Sequence, residues 1–170
     1  MDLLQRKQNR IPAFNYSETG AYFIPVCTHE RKKLLSEILV GTAVPGCPQE
    51  TVFVRLLPYG IVADRYIRQM NAFYDVLSVD KYVIMPDHIH FLITVHGQPG
   101  TAVPAKDNNR NASIARFVGS LKRFCNKEYG KNIWQRSYYD HVVRNQQDYD
   151  EIWQYIENNP RKWAMVKQNM

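Results

Sequence analysis

The chain has 170 residues, 45% of them hydrophobic and 22% charged, a composition that excludes a wholly disordered or fibrous protein and is enough for one domain with a real core. Its formal charge is +6, and the excess is local: residues 110–136 hold seven basic side chains against one acid, while the rest of the chain is balanced. A local basic strip favours a polyanionic partner, nucleic acid before membrane. Cys27, Cys47 and Cys125 are odd in number and lack CxxC spacing, so no disulfide framework is expected. No apolar run approaches the ~20 residues of a membrane span. With the polar opening MDLLQRKQNR, this leads to the expectation of a cytoplasmic, nucleic-acid-associated protein.

Two stretches, 41–50 and 97–111, have loop composition and divide the chain into three blocks. Both contain the pentapeptide GTAVP, too short to be a structural repeat. One domain over 1–170 is expected, its core at about residues 10–165. In the first block, 21–28 is rich in aromatic and β-branched residues and reads as a strand, Pro25 favouring an edge or bulge; 31–39 reads as a short helix. The middle block starts with a short strand at 51–56 and a helix over about 60–74, with Ile61, Tyr66, Ile67, Met70, Phe73 and Tyr74 as its apolar stripe. Strands at 76–85 and 90–95 then flank the turn-prone Pro86-Asp87, an antiparallel hairpin.

The last block opens with the clearest helix, 113–129. Ile114, Phe117, Val118, Leu121, Phe124 and Cys125 keep the helical rhythm, Ser113 stands at the N-cap position, and Arg116, Ser120, Arg123 and Lys127 form an opposite, basic face. A strand is expected in the second half of 133–144. A final helix over about 146–158 carries Tyr149, Ile152, Trp153 and Ile156 inward and ends near Pro160. Antiparallel strands with interspersed helices make the class α+β, with helices mainly on one sheet face.

Three constellations could carry chemistry. In His88-Ile89-His90 strand alternation puts both imidazoles on one face, able to chelate a metal, with Ile89 anchored behind them. The same tripeptide also fits two polar residues on an amphipathic strand; His96, beside Gly97, reads as a solvated strand end. Tyr155 and Asn159 stand four apart on the last helix, on one face. A phenol with a pKa near ~10 is a poor nucleophile at neutral pH without assistance. Eleven tyrosines are present, and periodicity does not select Tyr155 over Tyr138, Tyr139 or Tyr149. The third constellation is the basic strip with its aromatics, Phe117, Phe124, Tyr129, Trp134, Tyr138 and Tyr139: cations hold phosphates and exposed rings stack on unpaired bases.

Taken in order, these features resemble a known family. The run 82–91, YVIMPDHIHF, is similar to the VMPNHIH signature of the Y1 HUH transposases, the IS200-like group, and above all of the REP-associated tyrosine transposases. Residues 134–145, WQRSYYDHVVRN, resemble that group's WQ…YYDHVIRN segment, and 155–160, YIENNP, its YIxxNP motif. Arg10, Tyr16, Ser17, Gly20, Ala21, Tyr22 and Phe23, before Cys27-Thr28, resemble its opening. The resemblance implies a ferredoxin-like antiparallel sheet that presents the histidine pair. Tyr155 on a late helix would attack single-stranded DNA at a hairpin or palindrome, leaving a 5′-phosphotyrosine and a free 3′-hydroxyl that can later rejoin strands.

It further implies that His88, His90 and Asn159 hold a divalent metal, Mg²⁺ or Mn²⁺; two imidazoles by themselves favour Mn²⁺ or Zn²⁺. Asp87 replaces the asparagine frequent before the first histidine, and could orient an imidazole or form the hairpin turn. Arg116, Lys122, Arg123, Lys127, Lys131, Arg136 and His141 are the expected DNA contacts. The family implies either a homodimer or a monomer. The competing expectation is a non-catalytic module that holds structured DNA or RNA.

Overall fold

The computed structural model describes residues 20–41, 51–96 and 112–168. The expected loops beyond Gly41 and Gly97, together with Arg10, Tyr16, Ser17, Cys47 and Arg110, lie outside the described residues. The elements run β1 Gly20–Cys27, a 3₁₀ turn His29–Arg31, β2 Ser36–Gly41, β3 Thr51–Leu56, α1 Pro58–Phe73, β4 Leu77–Ile84, β5 His88–Val95, α2 Ala112–Tyr129, β6 His141–Val142 and α3 Gln146–Gln168.

A four-stranded antiparallel sheet has the order β4-β5-β1-β6, and β2 and β3 form a separate antiparallel ribbon. The hairpin at Pro86-Asp87 therefore forms as expected, with β5 starting at His88. Being central, β5 is covered on both sides, and only Thr94 among its eight residues is not fully buried. The register pairs Tyr22 with Ile93, Ile24 with Phe91 and Val26 with Ile89, so these six share one face; Phe23, Pro25, Cys27, His88, His90 and Leu92 share the other. On the first face Phe91 meets Phe117 of α2 edge to face at 5.8 Å, and the buried Ile67, Met70, Val118 and Leu121 complete the core from α1 and α2. α3 covers the second face, where Tyr155 packs on Phe23 and His90. Two of the three helices thus share a face.

α3 packs on β4, on β5 and on the β2–β3 ribbon, and side-chain bonds tie it to β4. The register of β4 skips between Val79 and Lys81, leaving Asp80 as the extra residue of a β-bulge. Asp80 accepts hydrogen bonds from Ser78 Oγ at 2.6 Å, from Thr94 Oγ1, and from Tyr149 Oη at 3.1 Å. Lys81 donates to Glu157 at 2.7 Å and lies 4.3 Å from the centroid of the Trp153 ring.

Several elements differ from the sequence reading. Residues 31–39 are not a helix: they leave the 3₁₀ turn and enter β2, whose partners in β3 run from Thr51 to Leu56. Pairing across the ribbon outweighs the local helical rhythm of KKLLSEILV. Ser113 lies inside α2, which begins at Ala112. Pro160 does not end the last helix, which continues to Gln168. A proline N has no hydrogen to give to the carbonyl four residues back, and burial of Ile156, Asn159 and Ala164 on either side of it offsets that loss. Ile61 and Phe73 face solvent rather than core, and the expected strand in 133–144 is reduced to His141 and Val142.

Candidate active site

The site is built on the α3 side of the sheet. His88 and His90, both about 6% exposed, stand on the same face of β5 with ring centroids 4.4 Å apart. Asp87 in the preceding turn is also buried and accepts a hydrogen bond from His88 Nδ1 at 2.5 Å. Burial alone would raise the Asp87 carboxyl pKa, but this hydrogen bond and electrostatic interaction with His88 and Arg31 hold it below the usual carboxylate value. The His90 imidazole is pushed down to about 3, first by burial and then by electrostatic interaction with His88 and Arg31. It is neutral at pH 7, and its Nδ1 is buried without a hydrogen-bond partner.

α3 places a stripe of side chains over this pair. Tyr155 stacks on His90 at 5.3 Å between centroids and meets Phe23 edge to face at 5.8 Å, while 40% of the residue stays exposed. Two turns later Trp163 approaches His88 at 6.0 Å. Asn159 falls between them on the same stripe and is buried. Beside Tyr155 lies a groove of about 440 Å³ lined by Asp148, Glu151, Ile152, Gln154, Tyr155, Asn158 and Lys162. The Lys162 ammonium sits 5.4 Å from the centroid of the Tyr155 ring.

Among the described residues no group of three or more His, Cys, Asp or Glu is gathered for a metal; the donors here are two imidazoles and an amide. That set fits a divalent ion. His90 is held neutral with an unpartnered buried nitrogen, and Asp87 occupies Nδ1 of His88, which leaves Nε2 of that ring as the free electron pair.

The expected DNA contacts divide. Arg116, Arg123 and Lys127 are exposed on α2, on the opposite sheet face from Tyr155. Lys131 lies over the Tyr59 ring at 5.3 Å, and Arg136 is exposed in the following segment. Ser120, expected on the basic face, is buried, and Lys122, an expected DNA contact, turns inward to donate to the carbonyl of Gln135 at 2.7 Å, where burial lowers its pKa. His141 pairs in register with Phe23, on the Tyr155 side, and contacts Asp148 at 3.1 Å.

Four neighbours of the site escaped the sequence reading. Phe23 and Trp163 pass for core aromatics in a sequence. Lys162, seven residues after Tyr155, does carry a helical-spacing signal. Arg31, 3.8 Å from Asp87, follows from no pattern, because it and Glu30 adopt left-handed φ values of 54° and 55° in the turn after β1.

Residues 62–159 match the family described as Transposase IS200 like. The chain belongs to that family. The matched segment of this IS200-like transposase holds both histidines, Tyr155 and Asn159. It is 26% identical over 172 residues to an uncharacterized protein of Haemophilus influenzae, covering 93% of this chain and 89% of the other. It is 31% identical over 91 residues to the REP-associated tyrosine transposase of Escherichia coli, 54% of this chain and 48% of that one; the match thus spans about half of that relative's length. A solved structure, described as a REP-associated tyrosine transposase bound to a REP hairpin, shares the fold with a TM-score of 0.56 at 21% identity, over 87% of this chain and 70% of that one. Among the described residues of this IS200-like protein no helix is long and apolar enough to cross a membrane.

Proposed function

We propose that this transposase, acting as one domain, is a metal-dependent single-strand DNA endonuclease and strand transferase that cuts beside hairpin or palindromic DNA, with Tyr155 as nucleophile. The observation that carries this reading is the Tyr155 ring stacked on His90, beside an imidazole pair and with its exposed side on a groove. Of the tyrosines between which periodicity did not choose, Tyr155 is in ring contact with this pair. The hairpin bound to the structural neighbour supports hairpin DNA as substrate.

Attack by the Tyr155 oxygen on a backbone phosphorus forms a P–O(Tyr) bond and breaks the P–O3′ bond. The phenol proton leaves to solvent or a base, and the departing 3′ oxygen takes up a proton. The link is itself a phosphodiester, so a 3′-hydroxyl can reverse the attack and join strands without ATP. His88, His90 and Asn159 would hold a divalent ion, Mg²⁺ or Mn²⁺, which when bound polarises a phosphoryl oxygen and orients the phosphate for in-line displacement. Asp87 fixes the ring of His88, and Phe23 with His90 limits the orientations open to the Tyr155 ring. A purely structural module would leave the orphaned His90 nitrogen and the exposed, stacked tyrosine without a reason.

The protein incubated with Mn²⁺ and a panel of single-stranded hairpin oligonucleotides should give a covalent protein–DNA adduct on a denaturing gel, absent with chelator and with Tyr155→Phe. No adduct from wild type, or an equal one from Tyr155→Phe, would overturn the assignment.

A further inference from the structure

The groove beside Tyr155 is electrically lopsided. Its lining includes two carboxylates from the amino-terminal half of α3, Asp148 and Glu151, and a single cation, Lys162, from the carboxy-terminal half. The acids have partners: Asp148 accepts from His141 and from the backbone N–H of Arg144 at 3.0 Å, and Glu151 accepts from Gln147 at 2.9 Å. Lys162 has no acidic partner among the described residues; its ammonium rests against the face of the Tyr155 ring. Lys81, the cation on the β4 side of α3, is engaged by Glu157 and Trp153 and is not available in the same way.

We propose that Lys162 is a phosphate-binding residue that grips the scissile phosphate beside the Tyr155 hydroxyl, so that the DNA strand reaches the nucleophile from the carboxy-terminal end of α3. This rests on Tyr155 being the nucleophile. Three features support it. Lys162 and Tyr155 lie seven residues apart, two helical turns on one stripe, so the ammonium travels with the nucleophile on a rigid element. A cation resting on an aromatic face at an exposed site gains only about 0.5–1 kcal/mol, so a phosphate can draw it away. Within this groove a phosphate beside Tyr155 meets its one lining cation in Lys162, the carboxylates of Asp148 and Glu151 lying at the other end, next to Arg144 and His141 of the adjoining groove. In the displacement, charge on the non-bridging oxygens is best met by a donor already in place, which is why loss of Lys162 should slow chemistry more than binding.

The test takes a hairpin oligonucleotide on which wild type forms the Tyr155 adduct with Mn²⁺, and compares Lys162→Met, which keeps the aliphatic cover on the ring, with Lys162→Arg. Lys162→Met should slow adduct formation at saturating DNA by roughly 100-fold, as loss of one preorganised donor does. The affinity of the same variant for DNA should fall by less than about fivefold, as for an exposed charge, and Lys162→Arg should recover most of the rate. In the non-cleaving Tyr155→Phe background, one neutral methylphosphonate at the scissile position should weaken binding more when Lys162 is present than when it is Met. A rate for Lys162→Met within twofold of wild type, or a methylphosphonate penalty equal in both backgrounds, overturns the proposal while leaving Tyr155 in its role. Loss of the adduct in wild type itself overturns the parent reading and this one with it.

Discussion

Burial keeps His90 neutral, and that has a cost in acid. Its folded-state pKa of about 3 lies below the ordinary 6.5, so between those values the unfolded chain binds more protons than the folded one. The stability contributed by the neutral ring is therefore complete above pH 6.5 and is lost as pH falls toward 3. The metal-free protein should lose on the order of a few kcal/mol from this source. Calorimetric melts of wild type and His90→Gln between pH 7 and 4 should show a steeper fall in Tm for wild type. Asp87, whose folded pKa is also depressed, contributes stability present above its unfolded value and lost as pH falls below it. Because His90→Gln leaves Asp87 in place, the difference between the two melts isolates His90.

At the scale of elements, the ribbon and α1 meet where only glycine fits. A Cβ on Gly60 would lie 2.0 Å from the carbonyl oxygen of Leu35, whose position is fixed by accepting from Leu57 N–H at 2.9 Å and by its own N–H donating to Pro86 at 3.0 Å. Both neighbours are backbone and neither can swing away. Gly60→Ala should destabilise by roughly 1–3 kcal/mol, as overpacking does, seen as a lower urea midpoint at unchanged slope.

The same region marks where sequence reading stopped. Strand 51–56, helix 60–74, the histidine hairpin and helix 113–129 were legible because each has a local period: alternation of two or a stripe of 3.6. β2 was not, since KKLLSEILV carries a helical period and becomes a strand only through its partners across the ribbon, from Leu56 opposite Ser36 to Val52 opposite Val40. β6 was only half legible, being two residues held by β1 at a sheet edge. Within the site, His88 and His90 followed from strand parity and the Tyr155–Asn159 pair from helix spacing. Which tyrosine meets the histidines depends on how α3 is fastened to β4 through Asp80, Lys81, Tyr149 and Trp153, and no single-residue pattern encodes that docking.

Across the whole molecule, the net charge of +6 does not surround Tyr155. Its densest stretch rides on α2, across the sheet from Tyr155, whereas beside α3 stand Arg31, Lys81, Arg144 and Lys162. Phosphate binding by α2 would hold DNA without steering the scissile bond. Replacing Arg116, Arg123 and Lys127 together by Gln should weaken binding to a hairpin oligonucleotide. It should also reduce the salt slope by about 0.7–0.9 for each phosphate that the variant no longer neutralises. The adduct rate at saturating DNA should be unchanged. Anisotropy titrations over a range of salt, with single-turnover gels, check both.

The docking of α3 also divides the site between two parts of unequal permanence. The imidazoles sit in β5, whose amides are locked between β1 and β4. Tyr155 sits on a helix tied to the sheet by ring contacts and by side-chain bonds around Asp80 and Lys81. Regions held in these two ways open with different free energies, so hydrogen exchange should report β5 at the global stability of the fold and α3 at a lower, local one. Tyr155 can then leave the histidines as a unit with its helix while the sheet stays whole. With the covalent link proposed above, that separation would allow a DNA end to be carried away from the place where it was cut.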